Sequence, residues 1–169
     1  MKIEDFFNRP NIVDLSFFNF RNAITAAYFA NEALEVQKVN GNFESFFPIL
    51  GNVTNIYFPH ILEQLGLPGA QIEEFVENIS RKGFVLIPEV HITIDGENRV
   101  FSLLSTRTHD DAFSYLNGVQ GQFVDRTEEW NLKKEREQLL EQKLHDREII
   151  EEKSRQLEDL ATKLAKYLS

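Results

Sequence analysis

The chain has 169 residues, 42% of them hydrophobic, which suits one domain of ordinary size with an appendage. Its formal net charge of −9 argues against a nucleic-acid partner. With no Cys it has no disulfide, no thiolate metal site and no cysteine nucleophile.

The first residues, Met-Lys-Ile-Glu-Asp-Phe-Phe, lack the apolar core of a signal peptide. No apolar run approaches the ~18–20 residues of a membrane span. We expect a cytoplasmic protein that contacts no membrane. Residues 1–22 carry Phe6, Phe7, Phe17, Phe18 and Phe20 among polar residues, and read as a short helical flank that packs on the domain or on a second copy. Residues 23–30, Ala-Ile-Thr-Ala-Ala-Tyr-Phe-Ala, fit a helix or a buried strand, and periodicity does not separate the two. A turn at Asn31-Glu32 follows. Residues 34–40 alternate apolar and polar, the mark of a half-buried strand.

Residues 41–83 read as short helices. Asn42 is placed to cap Phe43–Phe47, which Pro48 stops. Asn55–Leu65 carries Tyr57, Phe58, Ile61, Leu62 and Leu65 at helical spacing, with Gly66 after it. Ala70–Arg81 puts Ile72, Phe75, Val76 and Ile79 on one face, and Gly83 ends it. Three strands come next: Phe84–Ile94, a hairpin turn at Asp95-Gly96, Asn98–Thr106, a loop over His109–Ser114, and Tyr115–Val124. His91 is expected to share a strand face with Val85, Ile87, Glu89 and Thr93. Gly118 and Gly121 in the last strand signal a bulge or a close backbone approach. A rival reading places a tight turn at Asn117-Gly118. The order predicts an α+β fold, a five-stranded antiparallel sheet with short helices on one face.

From Glu128 to Ser169 the composition changes. There is no Gly, Pro or Phe, and 11 acids face 9 bases. Strong helix formers run throughout, and Asp125 or Thr127 can cap the start. A straight helix of this length spans about 63 Å, too long to bury against so small a domain. Ile150, Leu157 and Leu164 recur at heptad spacing. Leu132, Leu139, Leu160 and Tyr167 hold the companion position. The seam is apolar at both ends, but Arg136, Lys143, Asp146 and Lys153 make its middle polar. Such a helix predicts a parallel homodimer through residues 128–169. The weak middle either keeps two packings close in energy, or Leu140, Leu144 and Ile149 carry a locally shifted register.

Few residues look catalytic. No Gly-rich phosphate loop, nucleophile elbow or His-Glu-x-x-His is present, and no two His have metal-ligand spacing. His145-Asp146 lies on the charged helix without the continuation of a phospho-accepting His. An apolar pocket between sheet and helices would be lined by Phe46, Tyr57, Phe75, Phe84, Phe101 and Phe123, unless their rings fill that volume.

The segment Gly118–Glu128, Gly-Val-Gln-Gly-Gln-Phe-Val-Asp-Arg-Thr-Glu, resembles the closing strand of the PAS domain superfamily, with Asp125-Arg126-Thr127 as its Asp-x-Thr step. Asn40-Gly41-Asn42-Phe43 is similar to the motif at the family's first core helix. The resemblance covers residues 23–127, and residues 128–169 then correspond to a signalling helix. It implies a sensory domain in which the strand end and helix start are tied together, with Asp125, Thr127, Gly118 and Gly121 as coupling residues. The seam of that helix is Leu132, Leu139, Ile150, Leu157, Leu160 and Leu164. The flavin-adduct branch of the family requires a Cys, which this chain lacks. The haem branch requires an axial His. His60 is the candidate, but a lone helical His is a weak basis for haem, so no flavin, haem or metal is expected and any ligand is unidentified.

Leu164-Ala165-Lys166-Tyr167-Leu168-Ser169 resembles the short element before the catalytic domain of bacterial class III adenylate or guanylate cyclases, which commonly reads Leu-x-x-Tyr-Leu-Ser-Pro. It implies a nucleotide cyclase domain in cis, following this chain. None of the cyclase's metal-binding Asp residues lies in this sequence, so the chain itself is expected to be regulatory and not an enzyme. Two alternatives remain: a constitutive dimerisation module without a ligand, and an input domain for a histidine kinase or a diguanylate cyclase.

Overall fold

A computed structural model describes residues 20, 21, 23–112 and 114–169. Phe20 and Arg21 are helical; the rest of the expected N-terminal flank, including Phe6, Phe7, Phe17 and Phe18, lies outside the described residues. The chain divides into two units, Met1–Thr127 and Glu128–Ser169.

The first unit holds strands β1 (Ala26–Ala30), β2 (Val36–Val39), β3 (Phe84–Ile94), β4 (Glu97–Thr108) and β5 (Gly118–Asp125). Between β2 and β3 lie helices α1 (Gly41–Phe46), α2 (Phe58–Gln64) and α3 (Gly69–Arg81), with a single 3-10 turn at Pro48–Leu50. All pairings are antiparallel, in the order β2-β1-β5-β4-β3. The expected fold class is therefore the observed one. Helix α4 (Thr127–Leu168) follows β5.

Of residues 23–30, Ala26–Ala30 is a strand and not a helix, because β1 is hydrogen-bonded on both sides, to β2 and to β5. Ala26, Ala27 and Tyr28 are all buried, which erases the alternation a half-exposed strand would show. The predicted helix from Asn55 starts three residues late. Asn55 has φ +64°, and Asn55 and Phe58 instead donate to the carbonyls of Val36 and Leu34. Glu35 and Tyr57 form a bridge there, and Pro59 then opens α2. Tertiary pairing overrides the helical period over these residues.

The cap of α1 is Asn40, not Asn42. The Asn40 Oδ1 accepts from the Phe43 amide at 3.0 Å and from the Ala27 amide at 2.9 Å. Its Nδ2 donates to the Thr25 carbonyl at 2.8 Å. A single 3% exposed side chain thus joins α1 to β1. Asn42 donates to the Ala23 carbonyl instead.

The hairpin of β3 and β4 turns at Asp95-Gly96, both at positive φ, as a two-residue primed turn requires. Within it lies an unforeseen bulge: Ile87 faces Leu103 and Val90 faces Phe101, so Pro88 and Glu89 together oppose Ser102. Proline has no N–H to give a ladder and suits the bulge. The bulge shifts the parity of the strand. Val85 and Ile87 are buried before it, Val90 and Ile92 after it. His91 therefore lies on the exposed face with Thr93, opposite to the Val85 and Ile87 face expected for it. Residues 115–117 are not strand. A 3-10 turn at Ser114–Leu116 is closed by the Asn117 amide on the Ser114 carbonyl, and β5 begins at Gly118. The turn thus lies earlier than the Asn117-Gly118 turn of the rival reading, and the strand starts later than Tyr115.

The core lies between the sheet and α1–α3. Phe43, Phe47, Phe58, Phe75, Phe101 and Phe123 are each 2% exposed or less. Tyr28 stacks on Phe58 with ring centroids 3.9 Å apart, and Phe47 meets Phe123 edge-on at 5.0 Å.

Because Asn40 satisfies two buried amides at once, Asn40→Ala should cost about 2–4 kcal/mol. Asn42→Ala should cost about 1 kcal/mol or less. Urea unfolding followed by circular dichroism checks the ranking; equal losses would contradict the cap assignment.

Candidate functional site

The motif that closes β5 forms a compact junction. Phe101 of β4 is paired with Asp125 of β5, so Arg99, two residues along β4, is the diagonal neighbour of Asp125 on the same face. The Arg99 guanidinium pairs with the Asp125 carboxylate. The other carboxylate oxygen accepts from the Thr127 amide at 2.9 Å. The backbone of Val100 is held from both sides: its amide donates to Thr127 Oγ1 at 3.0 Å, and its carbonyl accepts from the Arg126 amide at 2.7 Å. The last strand residue and the first helical residue are thereby tied to one point on β4.

The base that meets Asp125 is Arg99 and not the next residue, Arg126, which is exposed beyond the end of β5. Arg107 sits opposite Val119, at the far end of β4, about 26 Å from Arg99 at the usual strand rise. The partial burial of Asp125 pushes its carboxyl up, but the Thr127 hydrogen bonds and Arg99 outweigh that. The result lies below the ordinary Asp value.

Gly118 and Gly121 mark close approaches and not bulges, since β5 stays in register with both neighbours. A Cβ on Gly118 would overlap the Ala30 carbonyl oxygen. One on Gly121 would overlap Ser105 Oγ and the Tyr28 ring. Tyr28, Gly121 and Ser105 face each other across three strands, and the Tyr28 hydroxyl bonds to Ser105 over the bare glycine. Burial pushes the Tyr28 phenol far up, and the bond to Ser105 offsets this in part.

Of the six residues named for a pocket, Phe46, Phe101 and Phe123 meet ring to ring and Phe75 joins them through Phe58, so rings fill that volume, as the alternative had it. Phe75, Phe101 and Phe123 are buried among other rings, and Phe46 packs against Phe47 and Phe101. Tyr57 and Phe84 are 46% and 55% exposed, so neither lines an interior site. His60 lies on the outer side of α2, its ring 3.6 Å from Glu63 and well exposed. Among the described residues no group of three or more His, Cys, Asp or Glu is arranged to hold a metal. No helix there is long and apolar enough to cross a membrane. In α4 the seam residues Leu132, Leu139, Ile150, Leu157, Leu160 and Leu164 are each more than half exposed.

No protein-family model matches the chain, and no curated protein matches it. Solved structures share its fold. The PAS domain of BvgS from Bordetella pertussis is 15% identical, with 78% of this chain and 98% of that one covered and a TM-score of 0.52. The PAS domain of a Colwellia psychrerythraea protein is 12% identical, with 69% and 98% covered and a TM-score of 0.51. An RNA-binding Light-Oxygen-Voltage receptor is 15% identical, with 86% of this chain and 41% of that one covered and a TM-score of 0.61. The first unit has the PAS fold.

A carboxyl held below its unfolded value adds stability above the unfolded pKa, about 3.9 for Asp, and loses it as pH falls through the folded value. Thermal melts of the wild type should therefore lose more stability than Asp125→Asn on acidification below about pH 4. Parallel melting curves for the two proteins would contradict the junction's electrostatics.

Proposed function

We propose that this chain is the input part of a signalling protein: a PAS sensory module that forms a parallel homodimer through residues 128–169 and passes a change in its sheet to a nucleotide cyclase domain beyond Ser169. The observation that carries this reading is the junction of Asp125, Arg99, Thr127 and Val100. A helix start fixed to β4 by two hydrogen bonds to the Val100 backbone, and through Asp125 by an ion pair to Arg99, follows any shift of β4 against β5. An untied linker would absorb it. The exposed Leu/Ile seam of α4 supports the dimer, because it finds no cover within its own helix. The closing segment Leu164–Ser169 supports the cyclase output.

Signal enters the PAS unit, alters the β4–β5 pair, and turns the first residues of α4. The polar middle of the seam keeps two packings of the paired helices near in energy, so a small torque selects between them. The chain contributes regulation and no catalysis.

Light scattering of this chain at micromolar concentration should give a dimer, and a chain ended at Thr127 should associate far more weakly. A monomeric full chain would overturn the dimer.

In the intact protein, Asp125→Ala should change basal or stimulated cyclic-nucleotide production. The lost bonds are worth about 0.5–2 kcal/mol, too little to unfold a domain stable by about 5–15 kcal/mol. A 1.4 kcal/mol bias still shifts two states about tenfold. Glu73→Ala, on the exposed side of α3, should leave output unchanged. Activity unaffected by Asp125→Ala would favour a constitutive dimerisation module.

A further inference from the structure

At the end of the sheet away from the junction lies a half-open cleft of about 520 Å³. That volume is in the range of small-molecule sites. Its floor is aliphatic: Leu34, Ile79 and Val119 line it and are themselves buried. Its walls are polar, formed by Glu32 from the β1–β2 turn, Ser80 near the end of α3 and Arg107 near the end of β4.

The register explains this placement. The inward-facing row of β4 runs Phe101, Leu103, Ser105, Arg107, and Arg107 is paired with Val119, which is paired on its other side with Ala30. The core row thus ends in a guanidinium where α3 ends and the helical layer stops covering the sheet. His109, also at the rim, is engaged with Asp111 at 3.1 Å. Arg107 and Glu32 differ. Among the described residues neither side chain has an ion-pair partner, although the two opposite charges line the same cleft.

We propose that this cleft binds a small aliphatic α-amino acid. Arg107 takes the carboxylate through a charge-assisted pair of hydrogen bonds, Glu32 takes the ammonium group, and the side chain rests on Leu34, Ile79 and Val119. Among the described residues no aromatic ring lines the floor, and this with its modest size favours a branched aliphatic side chain. A dianion is disfavoured by Glu32, and a simple cation by Arg107. Ligand binding here clamps the β1–β2 turn to the end of β4, the strand whose other end carries the Asp125 junction. That consequence rests on the signalling reading; the binding itself does not.

Isothermal titration of the 169-residue chain tests it with three probes: L-leucine, isocaproate, which lacks the ammonium, and isoamylamine, which lacks the carboxylate. Leucine should bind, and each analogue should bind at least about tenfold more weakly. Arg107→Gln should remove the preference for leucine over isoamylamine. Glu32→Gln should remove the preference for leucine over isocaproate. Ser80→Phe should fill the cleft and abolish binding of all three. All three replaced side chains are exposed, so unchanged melting temperatures are expected and separate a lost site from a lost fold. No saturable heat with leucine up to about 10 mM would overturn the proposal, as would leucine binding that survives both Arg107→Gln and Ser80→Phe. Because this assay uses the chain alone, its failure leaves the cyclase output untouched, and an inert Asp125→Ala leaves the cleft untouched.

Discussion

The sheet closes on its last strand. β5 is the final strand in sequence and the middle strand in space, hydrogen-bonded to β1 on one side and β4 on the other. Without residues 118–125, the β1–β2 pair and the β3–β4 hairpin share no edge. The aromatic core would then lose the sheet that backs it. The pairing of Ala26 with Phe123 spans nearly the whole domain in sequence, so its loop-closure cost falls late in folding. Two glycines make it possible. Gly118 lets β5 pass the Ala30 carbonyl, and Gly121 lets the Tyr28 ring cross to Ser105. The strand that completes the fold is also the one that continues into α4, so the integrity of the sheet and the start of the helix are one structural event.

What the sequence revealed was local, and what it hid was relational. The β3–β4 hairpin was legible because Asp95-Gly96 and the flanking β-branched residues specify it within a dozen positions. Helix α3 was legible from one apolar stripe. Residues 118–128 stood out by motif, and residues 128–169 by composition. The cap of α1 was misplaced by two residues, because Asn40 and Asn42 look alike locally, and only the buried Ala27 amide distinguishes them. The late start of α2 depends on a bridge to Glu35, twenty-two residues earlier. Alternation along β3 failed at Pro88-Glu89, where a proline inside an apolar strand was the available signal for a bulge.

The same division holds for functional residues. Asp125 and Thr127 were found by motif, whereas Arg99 was not, since its role follows from a diagonal neighbour relation that only the β4–β5 register defines. The pocket expected from aromatic residues is occupied by the rings themselves. The cleft that does exist is lined by strand-end charges that, in a linear sequence, look like any solvated surface residue. Arg107 and Arg99 stand at opposite ends of one inward-facing row, which makes β4 the element that spans from cleft to junction.

The bulge in β3 also governs what the molecule does in a crowd. β3 is an edge strand of 11 residues, and Phe84 and Leu86 lie exposed on its outer face beside Leu104. A long, regular, partly apolar edge is a template on which another chain can add a strand. Pro88 has no N–H to give a ladder, and the extra residue at Glu89 breaks the regular register of that strand. The opposite edge, β2, is only four residues long. An incoming strand therefore finds a broken ladder on one side and a short one on the other. Extension of the sheet by a second chain is thereby disfavoured at both of its edges.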